Sequence, residues 1–200
     1  NCWAPSAVAL DMGKHSHLFG TPKAMDDAEI AELIERFATS AQLAEQAGFN
    51  GVQIHAAHGY LLSQFLSPLT NRRTDQWGGS LENRARLLCE VIRAVRARVS
   101  PGFAVAVKIN SADFQRGGFD SADALATLKL LNELPVDLLE LSGGSYESPA
   151  MQGLTADGRT LWVTHGDYFD GVIQCAKWLA YLGDNAYEFT LRLNRHLNSL

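Results

Sequence analysis

The chain has 200 residues, of which 46% are hydrophobic and 20% charged, with a formal net charge of -5. That length suits one domain with a substantial core, and the absence of a Lys/Arg cluster argues against nucleic acid as a partner. No apolar run reaches membrane-spanning length and no signal peptide opens the sequence, so Cys2, Cys89 and Cys175, widely spaced, read as free thiols in a reducing, cytoplasmic compartment.

Residues 1–25 read as irregular, because Pro5, Gly13, Gly20 and Pro22 break any period. Trp3, His15, His17 and Phe19 either reach a ligand from this segment or pack it down, and packing is the simpler reading. Asp26 and Asp27 start a helix, where acidic groups suit the first turn. Its core stripe is Ile30, Leu33, Ile34, Phe37, Ala41 and Ala44, and Gly48 stops it.

Residues 51–55 form a strand that runs into a turn. Val52 and Ile54 share one face, and Gly51, Gln53 and His55 the other. His55, His58 and Tyr60 therefore gather where the strand stops. Two imidazoles and a phenol can hydrogen-bond a carbonyl or anionic oxygen and deliver a proton. His-x-x-His also allows zinc ligation, but no further Cys, His or Glu cluster has metal spacing, so no metal is expected.

Leu61, Leu62, Phe65 and Leu66 suggest a short helix. In the polar loop 71–79, Arg72 and Arg73 either bind an anion or tie the loop by hydrogen bonds with Asp75, and the tie is favoured. Ser80 caps a helix whose stripe is Leu81, Ala85, Leu88, Ile92, Val95 and Val99, with Arg86, Arg93 and Arg96 on its solvated side. Pro101-Gly102 ends it.

Residues 104–110 are a second strand. Val105, Val107 and Ile109 face one way, and Ala104, Ala106, Lys108 and Asn110 the other. A half-buried lysine needs an anion or acceptors, and Glu140, on the third strand over 137–142, faces the same side. Gly117-Gly118 loosens the loop 111–119. Asp120 or Ser121 caps a helix through Leu134, and the glycine-rich turn 143–146 closes the third strand. Beyond it, 161–164 suggests a short fourth strand, and 168–182 and 186–197 two helices.

Residues 48–88, GFNGVQIHAAHGYLLSQFLSPLTNRRTDQWGGSLENRARLL, and 104–119, AVAVKINSADFQRGGF, closely resemble the old yellow enzyme family of NADH:flavin oxidoreductases and FMN-dependent ene-reductases. The resemblance extends to Ala4-Pro5-Ser6-Ala7 and to LSGGSYESPAM at 141–151. It implies an α/β fold, a partial TIM (β/α)8-type barrel with three to four recognisable parallel strands, since a complete barrel takes about 250 residues. It divides the chain into the central part of an FMN-binding barrel, 1–151, and a divergent helical segment, 152–200. It also implies FMN as cofactor, NADH or NADPH as reductant and an α,β-unsaturated carbonyl substrate. His55 and His58 would polarise the carbonyl and Tyr60 would donate the proton. Lys108 and Gln53 would bind the flavin, with Lys108 at its pyrimidine edge. In the family a later strand ends in Thr-Gly-Gly at the flavin phosphate, whereas here Thr164 is followed by His165. The alternative is a non-catalytic fragment or decayed relative that does not hold FMN, and two such chains could pair their open edges as a homo-oligomer.

Overall fold

In a computed structural model, which describes residues 2–145 and 147 and the backbone of 152–154 and 160–162, alternating strands and helices carry the chain. Two short strands come first, β1 (Trp3–Ala4) and β2 (Lys23–Ala24). They pair in parallel on either side of a 3-10 turn at Gly13–Leu18. The opening segment is thus less irregular than its prolines and glycines suggest. A two-residue pairing across so long a loop leaves no periodic trace in sequence.

Helix α1 (Asp27–Gln46) starts at a reciprocal cap. The Asp26 carboxylate accepts from Glu29 N at 2.9 Å, and the Glu29 carboxylate accepts from Asp26 N at 3.0 Å. Ile30, Leu33, Ala38 and Ala41 are buried, with Ile34, Phe37 and Ala44 packed at the margin. Gly48, with φ +88°, turns the chain out of the helix as expected. Strand β3 (Gly51–Ala56) follows, then α2 (Leu61–Leu66) and α3 (Leu81–Arg98), the last capped by the Ser80 hydroxyl accepting from Asn83 N. Strand β4 (Ala104–Asn110), helix α4 (Ser121–Leu131) and strand β5 (Leu138–Ser142) complete the repeating unit.

The three long strands form one parallel sheet, in the order β3-β4-β5. The register sets Gly51 beside Ala104, His55 beside Lys108 beside Glu140, and Asn110 beside Ser142. On the far face Ile54, Ala56, Val105, Val107 and Ile109 are buried against Leu87, Leu88, Val91 and Ile92 of α3. Burying each large aliphatic side chain contributes roughly 1.5–3 kcal/mol, which is why this face fixes the register: a one-residue slip would expose all of them. Gly51 allows the strands to close at the base of the other face, since a Cβ there would lie 2.6 Å from Ala104 O and 2.7 Å from its Cβ. Strand β5 lies at the margin of the sheet, and its Leu138 is 61% exposed, with Leu139 and Leu141 also exposed.

Two arginines fasten the helices. Arg84, whose side chain is 8% exposed, pairs with Asp123 of α4 at 3.2 Å and donates to the carbonyl oxygens of Leu66 and Gly79. Arg96 donates to the carbonyls of Phe103 and Pro135 and pairs with Asp137. The expectation that Arg86, Arg93 and Arg96 share a solvated side therefore holds for Arg93. Arg86 and Arg96 are half-buried: Arg86 donates to Gln76 O and the Asn83 side chain, and Arg96 to backbone carbonyls and the Asp137 carboxylate.

The expected fourth strand appears as β7 (Thr160–Trp162). It pairs antiparallel with β6 (Gln152–Leu154), while the parallel sheet has three strands among the described residues. Thr164, His165 and the two helices expected over 168–182 and 186–197 lie outside the described residues, as does Cys175. Cys2 and Cys89 are free thiols, and burial pushes the Cys89 thiol upward. No helix among the described residues is long and apolar enough to cross a membrane.

Candidate active site

Strand β3 delivers its last residues into a tight reversal. Ala56 and Ala57 are buried, and then His58 (φ +61°) and Gly59 (φ +76°) both take left-handed backbone conformations. Glycine does so freely, but a histidine there carries strain on the order of 1–3 kcal/mol that surrounding contacts must hold. The reversal hands the chain to Tyr60, the residue that starts α2.

This geometry gathers the three expected side chains. The His55 and His58 rings lie 5.1 Å apart, edge to face, and the Tyr60 ring is 4.9 Å from His55. Ala57 N donates to His55 Nδ1 at 3.3 Å. With Nδ1 accepting, the neutral ring carries its proton on Nε2. His58 Nε2 shares a 2.6 Å hydrogen bond with the Ser142 hydroxyl at the end of β5.

The same face of the sheet carries the other two expected residues. Lys108 Nζ lies 2.9 Å from Glu140 Oε1, with the lysine side chain 12% exposed. Gln53 Nε2 donates to Glu140 Oε2 at 2.8 Å. The Lys108–Glu140 pair follows from the strand register. The Gln53–Glu140 bond does not, because it runs diagonally across β4.

Two residues at the mouth had no role in the sequence reading. Asn110, 1% exposed, accepts from His58 N at 3.1 Å and donates to Asp113 Oδ1 at 3.0 Å and Gly144 O at 2.8 Å. Asp113 is buried, and burial raises its carboxyl above the usual range. Hydrogen bonds from Ser67, Asn110 and Phe119 N oppose that rise. The available signal was Asn110's place on the same face as Lys108, next to a loop.

Of the segment before α1, Trp3 and Phe19 line a cavity of about 420 Å3 together with Leu10, Tyr60 and Leu61. His15 and His17 do not line it. Trp3 also packs under Arg36, whose Cζ is 5.4 Å from the ring centre. Among the described residues, no group of three or more His, Cys, Asp and Glu side chains is placed to hold a metal ion.

The arginine loop is a tie, as expected. Arg73 donates to both Asp75 carboxylate oxygens and to the carbonyls of Pro5 and Met25, so it clips the opening segment to the loop between α2 and α3. Arg72 donates to Leu69 O, and its backbone N–H reaches the Ser6 hydroxyl. The Arg73 hydrogen bonds hold the Asp75 carboxyl below its usual range. A lowered folded-state value means stability that is present above the ordinary carboxylate pKa and lost as pH falls through the folded one. Asp75→Asn should therefore melt earlier than the parent at neutral pH, and the gap should narrow as acid takes the pH below the ordinary carboxylate range. Thermal melts at neutral and acid pH check this, and a gap unchanged in acid would count against the Arg73–Asp75 tie as its source.

A profile of the NADH:flavin oxidoreductase / NADH oxidase family matches residues 3–155. An NADH-dependent flavin oxidoreductase of Neonectria sp. (strain DH2) is 46% identical over 155 residues, covering 74% of this chain and 20% of the relative. An NADPH dehydrogenase of Halalkalibacterium halodurans is 44% identical over 142 residues, covering 71% of this chain and 40% of the relative. Among solved structures, the old yellow enzyme homologue from Zymomonas mobilis superposes with a TM-score of 0.62 at 33% identity, covering 74% of this chain and 45% of that one. The chain thus spans less than half the length of these relatives. Within that span, the family match coincides with the part that builds the three-stranded sheet and its mouth, and the chain belongs to the NADH:flavin oxidoreductase / NADH oxidase family, that of the old yellow enzymes.

Proposed function

We propose that this chain supplies the substrate-polarising part of an FMN-dependent, NADH- or NADPH-driven reductase of activated C=C bonds. The observation that carries the reading is the convergence of Gln53, His55 and Lys108 on one sheet face with His58 and Tyr60 at its mouth. The flavin's pyrimidine edge presents acceptors at N1 and O2 and an N–H at N3. A lysine ammonium and a glutamine amide match that set, and the short Ala104 and Ala106 side chains stand on the same face. The residues therefore fit the group: Lys108 would hold the N1/O2 edge and offset negative charge there, and Gln53 would lie beside it. Bound FMN supplies hydride chemistry.

The chain's own residues do the rest. His55 presents Nε2–H, and with His58 it holds the carbonyl oxygen of an α,β-unsaturated substrate and draws electron density toward it. Tyr60 gives a proton to the α-carbon. Under this reading residues 1–151 are the barrel part and 152–200 a separate segment. Self-association would cover the exposed leucines of β5.

Titrating the purified chain with FMN while following flavin fluorescence tests the proposal. Quenching should saturate near one FMN per chain, and Lys108→Met should weaken binding about tenfold or more, the scale of one hydrogen bond to a charged group. A folded chain that leaves flavin fluorescence unchanged would favour the non-catalytic alternative, with the motifs serving as scaffold.

A further inference from the structure

Asn110 is a buried amide at the mouth of the sheet that the proposed chemistry does not use. Its three polar contacts settle its orientation. Oδ1 faces a backbone N–H, while Nδ2 faces a carboxylate oxygen and a carbonyl oxygen. A flipped amide would set oxygen against two acceptors and nitrogen against a donor, so one orientation is possible. Each contact comes from a different loop: His58 after β3, Asp113 after β4 and Gly144 after β5.

We propose that Asn110 is a positioning residue for His58, and that Asp113 orients the Asn110 amide, so that these buried groups hold the His58 turn and its ring in place. His58 needs such a hold because its φ of +61° is strained for a residue with a Cβ. The Asn110 carbonyl grips the backbone N–H, and the Ser142 hydroxyl grips the ring at 2.6 Å. Ser142 is fixed in turn, since its carbonyl accepts from both the backbone N–H and the hydroxyl of Ser111. Asp113 is held by Phe119 N at 3.2 Å and by the Ser67 hydroxyl, in addition to Asn110. The carboxylate thus accepts from three donors, while the Asp123 charge opposes its ionisation. An acceptor-only group is what that place requires, and that dictates which end of the Asn110 amide turns toward it.

The inference rests on the proposed function only in taking His58 as a carbonyl-holding residue, so its test reads His58 directly and without flavin. The imidazole resonances of the isotope-labelled chain are followed through a pH titration, with the exposed His15 and His17 as internal controls. Asn110→Ala and Asn110→Asp should move the His58 ring signals and shift their midpoint by about 0.5 pH unit or more, while His15 and His17 stay put. Asp113→Asn should give a smaller shift of the same signals. The double variant Asn110→Asp/Asp113→Asn restores a donor–acceptor pair between the two positions and should recover part of the change. A folded Asn110→Ala chain with His58 signals unchanged would overturn the proposal. A double variant no closer to the parent than Asn110→Asp would remove Asp113 from it. If Asn110→Ala does not fold, Asp113→Asn carries the same readout, and loss of fold in both would assign the network to stability alone. Failure to bind FMN would leave all these signals readable, so it bears on the proposed function and not on the clamp.

Discussion

Under the proposed function, Tyr60→Phe is expected to slow reduction of an enone by the FMN-loaded protein by about 10²–10⁴-fold, the usual contribution of a positioned general acid. Reduction of the flavin by NADH or NADPH should proceed nearly as in the parent, because that half-reaction needs no proton from the phenol. The substitution removes one oxygen and keeps the ring, so the 4.9 Å contact with His55 and the start of α2 remain. Tyr60 is 47% exposed and lines the cavity beside Trp3 and Phe19, so the lost hydroxyl leaves no buried void. Stopped-flow traces of the two half-reactions separate the outcomes. Equal loss in both would remove Tyr60 from the proton-donor role.

Arg84→Met is expected to cost about 3–5 kcal/mol of folding stability, the range for breaking a buried ion pair from one side. In a chain of this size that lowers the melting temperature by about 10 °C. The guanidinium is where α2, α3 and α4 are joined: it bridges Leu66 O, Gly79 O and both carboxylate oxygens of Asp123. Methionine fills much of the volume but leaves the buried Leu66 carbonyl without this donor and Asp123 without its counter-charge. Asp123→Asn should cost less, because Asp123 is 23% exposed and water can take over part of its role. Urea unfolding of the two variants gives the comparison. A loss below about 1 kcal/mol for Arg84→Met would place the pair with ordinary surface ion pairs.

The helices and the long strands were legible because their signals are local. Asp26 and Glu29 announce the cap of α1, Gly48 its end, and the stripe of α3 its buried side. The alternation in 104–110 separated Val105, Val107 and Ile109 from Lys108 and Asn110, and the register kept them apart. The meeting of His55, His58 and Tyr60 was also legible, since all three lie within six positions of a strand end. The pairing of β1 with β2 and the antiparallel hairpin of β6 and β7 were not legible, because strands of two or three residues carry no period.

Sequence by itself determined the family, the order of the three long strands and the helices between them, and which residue types stand on the site-facing side of the sheet. These follow from backbone period, capping chemistry and a long run of matching residues. Tertiary structure alone decided which polar groups hold the site together. Arg84 sits on an apparently ordinary helix, yet it is buried across three elements. Gln53 reaches Glu140 across 87 positions of sequence, and Asn110 joins three loops that are distant along the chain. A hydrogen bond depends on position to a fraction of an ångström, and sequence spacing places side chains that finely only within one turn or one strand. Across strands, sheet register and loop closure set the distance, and those exist only once the whole unit has packed.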